Sequence, residues 1–287
     1  MTEMKKRRLS KTGWASVTGK WVFLGIMILF TLYPVIYTVL GSLKTNAELT
    51  QGGGFFPEKW HFENYYQAFI QADFTKYTWN SVVVSVSVTL LAAVTCSLAG
   101  FILARREFAG KKLWMALYLS MMFVSLGSVT LYPIYELLRA LKLNKTIFAL
   151  IIALTGGQAA NVFLVMGFTK GIPRELDEAA IIDGCSLYGV YSRIILPLSK
   201  PILAVVALFS FRNAWNDYIT GLIMTISMPR LQTLTVAVVQ LKYSVNAAAE
   251  WHIMLAGASI AIIPILIVYL FANKQFIAGL TAGAVKG

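Results

Sequence analysis

Four carboxylates crowd the ten residues ELDEAAIIDG, 175–184: Glu175, Asp177, Glu178 and Asp183. The whole chain of 287 residues carries only 13 acidic side chains. The chemistry their spacing supports is electrostatic. Pro173 stands just ahead of them and suits a first helical turn, where its missing donor costs nothing. Glu175, Asp177 and Glu178 then fall in that turn, where the helix dipole favours negative charge. Ala179 and Ala180 are strong helix formers with almost no side chain, so they permit close approach of another surface. Gly184 can take the left-handed conformation that ends a helix. Beyond it, CSLYGVYSRIILP repeats apolar residues at Leu187, Val190, Tyr191 and Ile194, the spacing of one helical face. Leu196 and Pro197 stop that element. The spacing predicts a short helix, a turn and a second short amphipathic helix over 171–197. A solvated, self-capped loop accounts for the same residues.

Other reactive constellations are absent from the sequence. GWASVTGKW, 13–21, comes nearest to a phosphate-binding loop. Its glycines, Gly13 and Gly19, are one residue too far apart, and Trp21 stands where Ser or Thr would hold magnesium. The chain is therefore expected to hydrolyse no ATP and to hold no cofactor or metal of its own. His61 and His252 lack cysteines or carboxylates at ligand spacing and read as interfacial or hydrogen-bonded residues. Cys96 lies in an apolar run and Cys185 beside the acidic stretch, so no disulfide is expected.

The elements that must position these residues follow from composition. The chain is 57% hydrophobic and 13% charged, with mean hydropathy +0.68. A soluble domain carries about 25% charge, so this one has too little polar surface to cover its outside. It reads as an integral membrane protein. About 20 apolar residues in a helix cross the hydrocarbon core. Six segments qualify: 21–43, 78–103, 113–138, 146–169, 198–223 and 251–272. The fourth is interrupted by Gly156, Gly157, Gln158 and Asn161, which is tolerable where the break faces protein or a watery cavity. The runs are long and do not alternate with period two, which excludes barrel strands. The fold class is all-α and polytopic. The first span is too long for a cleaved signal core and no small-residue cleavage site comes after it.

The net charge of +12 sits in short clusters between apolar runs, where it acts as a topology signal and not as a nucleic-acid surface. Sixteen of the 25 Lys and Arg residues fall before the first span, at 105–112, at 170–200 and after the last span. Eight fall on the opposite side, and Arg212 lies within a span. Both termini and the acidic stretch are therefore expected in the cytoplasm.

Polar residues recur on the spans. Ser125, Ser128, Tyr132 and Tyr135 fall at i, i+3, i+7, i+10 and share a face of a continuous third span. Phe209, Asn213, Asn216 and Thr220 do the same on the fifth, with Trp215 and Asp217 alongside. Gln158 and Asn161 are three apart on the fourth. Such residues suit either a path for a hydroxyl-rich solute or hydrogen bonds between helices. Arg212 and Asp217 are expected to pair with protein groups, because a lone buried charge is costly. A chain of buried acids, as an ion-coupled carrier needs, is not evident.

From Glu178 to Pro197 the residues also match a longer pattern: Glu178-Ala179-Ala180, three residues, Gly184, nine residues, Ile194, one residue, Leu196-Pro197. This resembles the membrane-spanning permease subunits of bacterial ABC importers. IPRELDEAAIIDG with LPLSKP, FRNAWNDY at 211–218 and the tail GLTAGAVKG at 279–287 look like the maltose-type carbohydrate permeases, over nearly the whole chain. The resemblance implies the type I importer permease fold and the smaller, six-span member of a heterodimer in the bacterial plasma membrane. It implies a basic N-terminus at 1–20, a permease domain at 21–272 and a tail at 273–287. It makes 171–197 a coupling loop in which Glu178, Ala179, Ala180, Asp183, Gly184, Ile194, Leu196 and Pro197 engage an ATPase subunit. It places Tyr132, Asn213, Trp215, Asn216 and Asp217 on the substrate path, and gives Gly279, Leu280, Thr281 and Gly283 of the tail a coupling role. The implied partners are a second permease subunit, two ATPase subunits that bind ATP and magnesium, an extracytoplasmic solute-binding protein, a carbohydrate substrate and membrane lipid. An importer for another polar solute, or a stand-alone secondary carrier, remains an alternative.

Overall fold

The computed structural model describes residues 11–123, 127–243 and 249–284, with side chains over 17–123, 127–242 and 249–270. Ser125 lies outside the described residues. Among the described residues the regular structure is helical. Three helices among the described residues are long and apolar enough to cross a membrane: Val17–Gly41 within α1 (Lys11–Gly41), α4 (Phe74–Arg105) and Trp251–Leu270 within α15 (Trp251–Ala284). Two further segments are bent pairs. α7 (Ile147–Thr155) and α8 (Ala159–Gly171) meet at 52°, and Leu187–Leu198 meets α12 (Lys200–Asn216) at 76°.

Lipid tails are as apolar as leucine, so burial alone does not hold such helices together; close packing and hydrogen bonds do. α4 carries the pattern this requires. Val84, Val88, Ala92, Cys96 and Gly100 recur every four residues and are buried. That stripe lets α8 and α12 lie along α4. At Gly100 the approach is closest: a Cβ would meet Val165 Cγ1 at 2.7 Å and the Met166 backbone nitrogen at 3.0 Å. α1, by contrast, exposes large apolar side chains such as Phe23, Leu29 and Phe30 and packs along α15.

Three expected spans are broken, the fourth in chain order where its sequence interruption stands. Segment 113–138 forms α5 (Lys111–Phe123), a 3-10 turn at Gly127–Thr130 and α6 (Leu131–Ala140). Ser128 falls in that turn, while Tyr132 and Tyr135 stay three apart on α6. Segment 198–223 stops at Asn216 and resumes as α13 (Ile219–Thr225). The fourth expected span breaks at Gly156, Gly157 and Gln158, with Asn161 inside α8.

Two regions between the expected spans are built into short helices. α2 (Asn46–Thr50) opens with a capping box between Thr45 and Glu48, and α3 (Glu63–Gln71) comes next. Glu48 binds the backbone nitrogens of Thr45 at 2.7 Å and Glu58 at 2.8 Å, which drops its carboxyl to about 2. Asn46 ties this region to the start of α15 through Ala249 O at 2.8 Å and Trp251 N at 3.1 Å. α14 (Leu234–Gln240) was unforeseen. Leu234, Ala237 and Val238 are buried against α4 and α15, Val236 is buried beside Gly221 of α13, and Ser81 Oγ accepts from the Leu234 backbone at 2.7 Å.

Candidate functional site

The acidic stretch forms α9 (Glu175–Ile182), with Glu175, Asp177 and Glu178 in its first turn. Pro173 lies one residue before the cap, Arg174. The helix ends in the motif that Gly184 makes possible. Gly184 has φ +85°, its N–H donates to Ile181 O at 3.0 Å, and the Cys185 N–H donates to Ala180 O at 2.9 Å. These are the paired bonds of a Schellman end, which satisfy carbonyls the helix leaves open. Asp183 caps α9 and is exposed.

The second element is less regular than its apolar spacing predicts. α10 (Leu187–Val190) leads into a π-helical turn at Tyr191–Ile195, then α11 (Leu196–Leu198), with Pro197 exposed. Val190, Tyr191 and Ile195 turn inward and pack with Phe101, Ile172 and Ala180; Ile194 and Leu196 flank them. Ala180 is thus part of the loop's own core, while Ala179 and Glu178 are exposed. Close approach of an outside surface is left to Ala179. The outer face is apolar: Leu176, Ile181, Leu187 and Tyr188 are exposed, and Ile182 is 86% exposed. Exposed apolar patches of this kind mark interaction sites.

A cavity of about 290 Å³ lies between α8 and α12 at the break before α8, lined by Gly156, Gly157, Gln158, Asn161, Ser210, Arg212 and Asn213, with Phe209 on its wall. Asn161 Nδ2 donates to Gln158 Oε1 at 2.5 Å and approaches Ser210 Oγ at 3.4 Å. The first bond is local to the start of α8 and the second links α8 to α12, while Asn213 is exposed and lines the cavity. Among the described residues no carboxylate pairs with Arg212.

The neighbouring residues do other work. Trp215 is 2% exposed; its indole N–H donates to Ala261 O at 3.2 Å, its ring stacks on Phe211, and its carbonyl accepts from Thr235 Oγ1 at 2.6 Å. Asn216 lines a separate, mostly apolar cavity between α12, α14 and α15. Asp217 accepts from the Gly221 backbone at 2.7 Å and from Thr220 Oγ1 at 2.9 Å, and so caps α13. Thr220 is accordingly buried. Tyr132 is 71% exposed on α6, and Tyr135 meets Ser227 Oγ at 3.1 Å. Gly279, Leu280, Thr281 and Gly283 continue α15, which runs unbroken past 272 to Ala284.

Several of these relationships escape sequence spacing. α14 is an apolar run too short to span, so a search for spans passes over it. The Asp217 cap is signalled only by its offset of three and four from Thr220 and Gly221, which a continuous-helix reading ignores.

Comparison with known proteins places this geometry. Residues 96–280 match the family of binding-protein-dependent transport system inner membrane components. A putative ABC transporter permease protein, ORF2, of Caldicellulosiruptor sp. is 35% identical over 94% of this chain and 98% of its own length. The arabinooligosaccharides transport system permease protein AraQ of Halalkalibacterium halodurans is 31% identical over 99% of this chain and 100% of its own. A chain of a bacterial ABC transporter involved in the import of the acidic polysaccharide alginate superposes with a TM-score of 0.76, covering 93% of this chain and 98% of that one, at 22% identity; the fold is therefore that of an ABC importer permease. The chain belongs to the family of binding-protein-dependent transport system inner membrane components.

Proposed function

We propose that this chain is one of two permease subunits in an ATP-driven importer that brings a carbohydrate into the cell by alternating access. The single observation that carries the reading is the outer face of α9 and α10. An apolar knob of Leu176, Ile181, Ile182, Leu187 and Tyr188 stands on a loop whose inner face is already packed. A protein that leaves such a face open has a partner for it. The absence of a phosphate loop from the sequence puts ATP on that partner. The knob docks on an ATPase subunit at the cytoplasmic surface, the side on which Lys and Arg concentrate. Closure of the ATPase pair moves the knob and reorients the helices, while a solute-binding protein delivers sugar from outside.

The carbohydrate class rests on the relatives, among them the arabinooligosaccharide permease, and on the cavity at Asn213. Its amides, hydroxyl and the Phe209 ring suit a solute with many hydroxyls. A narrower reading has one observation of its own. Arg212 lines the same cavity without a carboxylate partner among the described residues, which favours a saccharide bearing negative charge.

The test is reconstitution with the neighbouring permease, ATPase and binding protein, then a screen of neutral and acidic saccharides for stimulated ATP hydrolysis and uptake. Stimulation by a saccharide supports the reading. Uptake driven by an ion gradient without the ATPase contradicts it.

A further inference from the structure

Three residues of α4, Ser97, Phe101 and Arg105, lie four apart and so share one face at its end. All three grip the loop. Ser97 Oγ and Tyr191 Oη are 2.7 Å apart and buried. The Phe101 ring packs against Ala180, Ile195 and Tyr191, its centroid 5.4 Å from the tyrosine ring. Arg105 Nε lies 2.8 Å from Asp177 Oδ2, and its Nη2 donates to Ile172 O at 2.8 Å. The arginine and aspartate side chains are only 5% and 15% exposed. Asp177 Oδ1 and Arg105 Nε are both buried and make no hydrogen bond among the described residues, so the contact is a close charge pair in which Arg105 offsets the carboxylate.

The arrangement separates two acids that the sequence leaves alike. Glu178 points out, available to a partner. Asp177, next to it, is consumed inside the chain. Both ends of the pair are well placed electrostatically. Arg105 is the last residue of α4, where the helix end is negative, and Asp177 is in the first turn of α9, where it is positive. The guanidinium also reaches Ile172, the residue that ends α8. One side chain thus joins α4, α8 and α9. α4 and α8 are the helices that carry this junction to the cavity, since α8 contributes Ala160 and Asn161 to its lining and packs along α4.

We propose that Arg105 is a positioning residue for energy coupling: paired with Asp177 and braced on Ile172, it makes the loop and α4 move as one body. This rests on the importer reading above. Without the pair, the loop still docks but slips against α4, so ATP is hydrolysed without moving the cavity.

The experiment uses the full reconstituted complex. R105Q, D177N and the double variant are compared with the natural chain for assembly, basal ATP hydrolysis and binding-protein-stimulated uptake. Assembly and basal hydrolysis are expected to persist. Uptake per ATP should fall about tenfold or more in R105Q, which leaves a buried carboxylate unpaired. The double variant, which leaves none, should be no worse than R105Q, and the sugar concentration for half-maximal uptake should not move. Uptake per ATP within about twofold of the natural chain in R105Q, or losses in the double variant that multiply, overturns the proposal. If R105Q fails to assemble, R105K, which keeps the charge but cannot fork to Ile172 and Asp177 together, decides: normal coupling overturns the proposal and reduced coupling supports it. A natural complex that shows no ATP-coupled uptake overturns the importer reading itself, separately from the strut.

Discussion

The hydroxyls of Ser97 on α4 and Tyr191 on the loop lie 2.7 Å apart, 94 residues apart in sequence and sealed from solvent. Ser97 also bonds Val94 O at 2.9 Å, so it stays satisfied if the tyrosine hydroxyl is lost. Tyr191→Phe should therefore cost only about 1 kcal/mol, the net worth of one neutral hydrogen bond. Thermal unfolding of the purified complex checks the size, and little loss of coupling is expected because the ring still packs on Phe101.

The end of α9 is set by backbone sterics. At φ +85° a side chain with a Cβ is strained by about 1–2 kcal/mol. Gly184→Val should displace Ile182 and lower stimulated ATP hydrolysis, whereas Gly184→Asn, which tolerates the left-handed region, should lower it less. The ratio of stimulated to basal hydrolysis in the two variants is the measurement.

Asp217 distinguishes a cap from a path residue. Asp217→Ala removes two bonds at the start of α13 and should destabilise that segment by about 1–3 kcal/mol. Hydrogen exchange over 217–225 should rise, and the sugar concentration for half-maximal uptake should hold. Asn213→Ala should do the reverse: a rise of up to about tenfold in that concentration, from one lost hydrogen bond to the solute, with little change in exchange.

The loop around Glu48 has a pH signature. Its carboxyl sits at about 2, against an ordinary 4.5, because the Glu58 and Thr45 backbone nitrogens bind the charged form. A lowered carboxyl value stabilises the fold above the ordinary value, and that contribution fades as pH falls from about 4.5 to about 2. Proteolysis at Gly52, Gly53 and Gly54 should therefore rise over that interval with an acid-active protease. Glu48→Gln should show the same sensitivity at neutral pH.

The legible parts were those governed by local rules. First-turn acids and a glycine two residues past a run of alanine and isoleucine delimit α9, because helix ends are set by dipole and backbone sterics. Apolar length locates α1, α4 and α15 by an equally local rule, though α1 begins at Lys11 and α15 runs on to Ala284. What escaped was tertiary. Gly127 and Asp217 break helices whose hydropathy is continuous. Ala180 faces inward and Ala179 outward, though the two are alike in sequence, because Phe101 and Tyr191 claim one side of α9. The division of labour between Asp177 and Glu178 depends on an arginine 72 residues upstream, which no local spacing encodes.

The central claim is that the exposed face of α9 engages an ATPase subunit, and Ile182, at 86% exposure, is its most accessible point. A photo-crosslinking amino acid placed at 182 in the assembled complex tests this most directly. A crosslinked product containing the ATPase subunit, reduced when the loop's Ala179 is changed to Arg, is the predicted result. Crosslinks to lipid alone, or to a protein other than the ATPase with coupled uptake intact, would contradict the account.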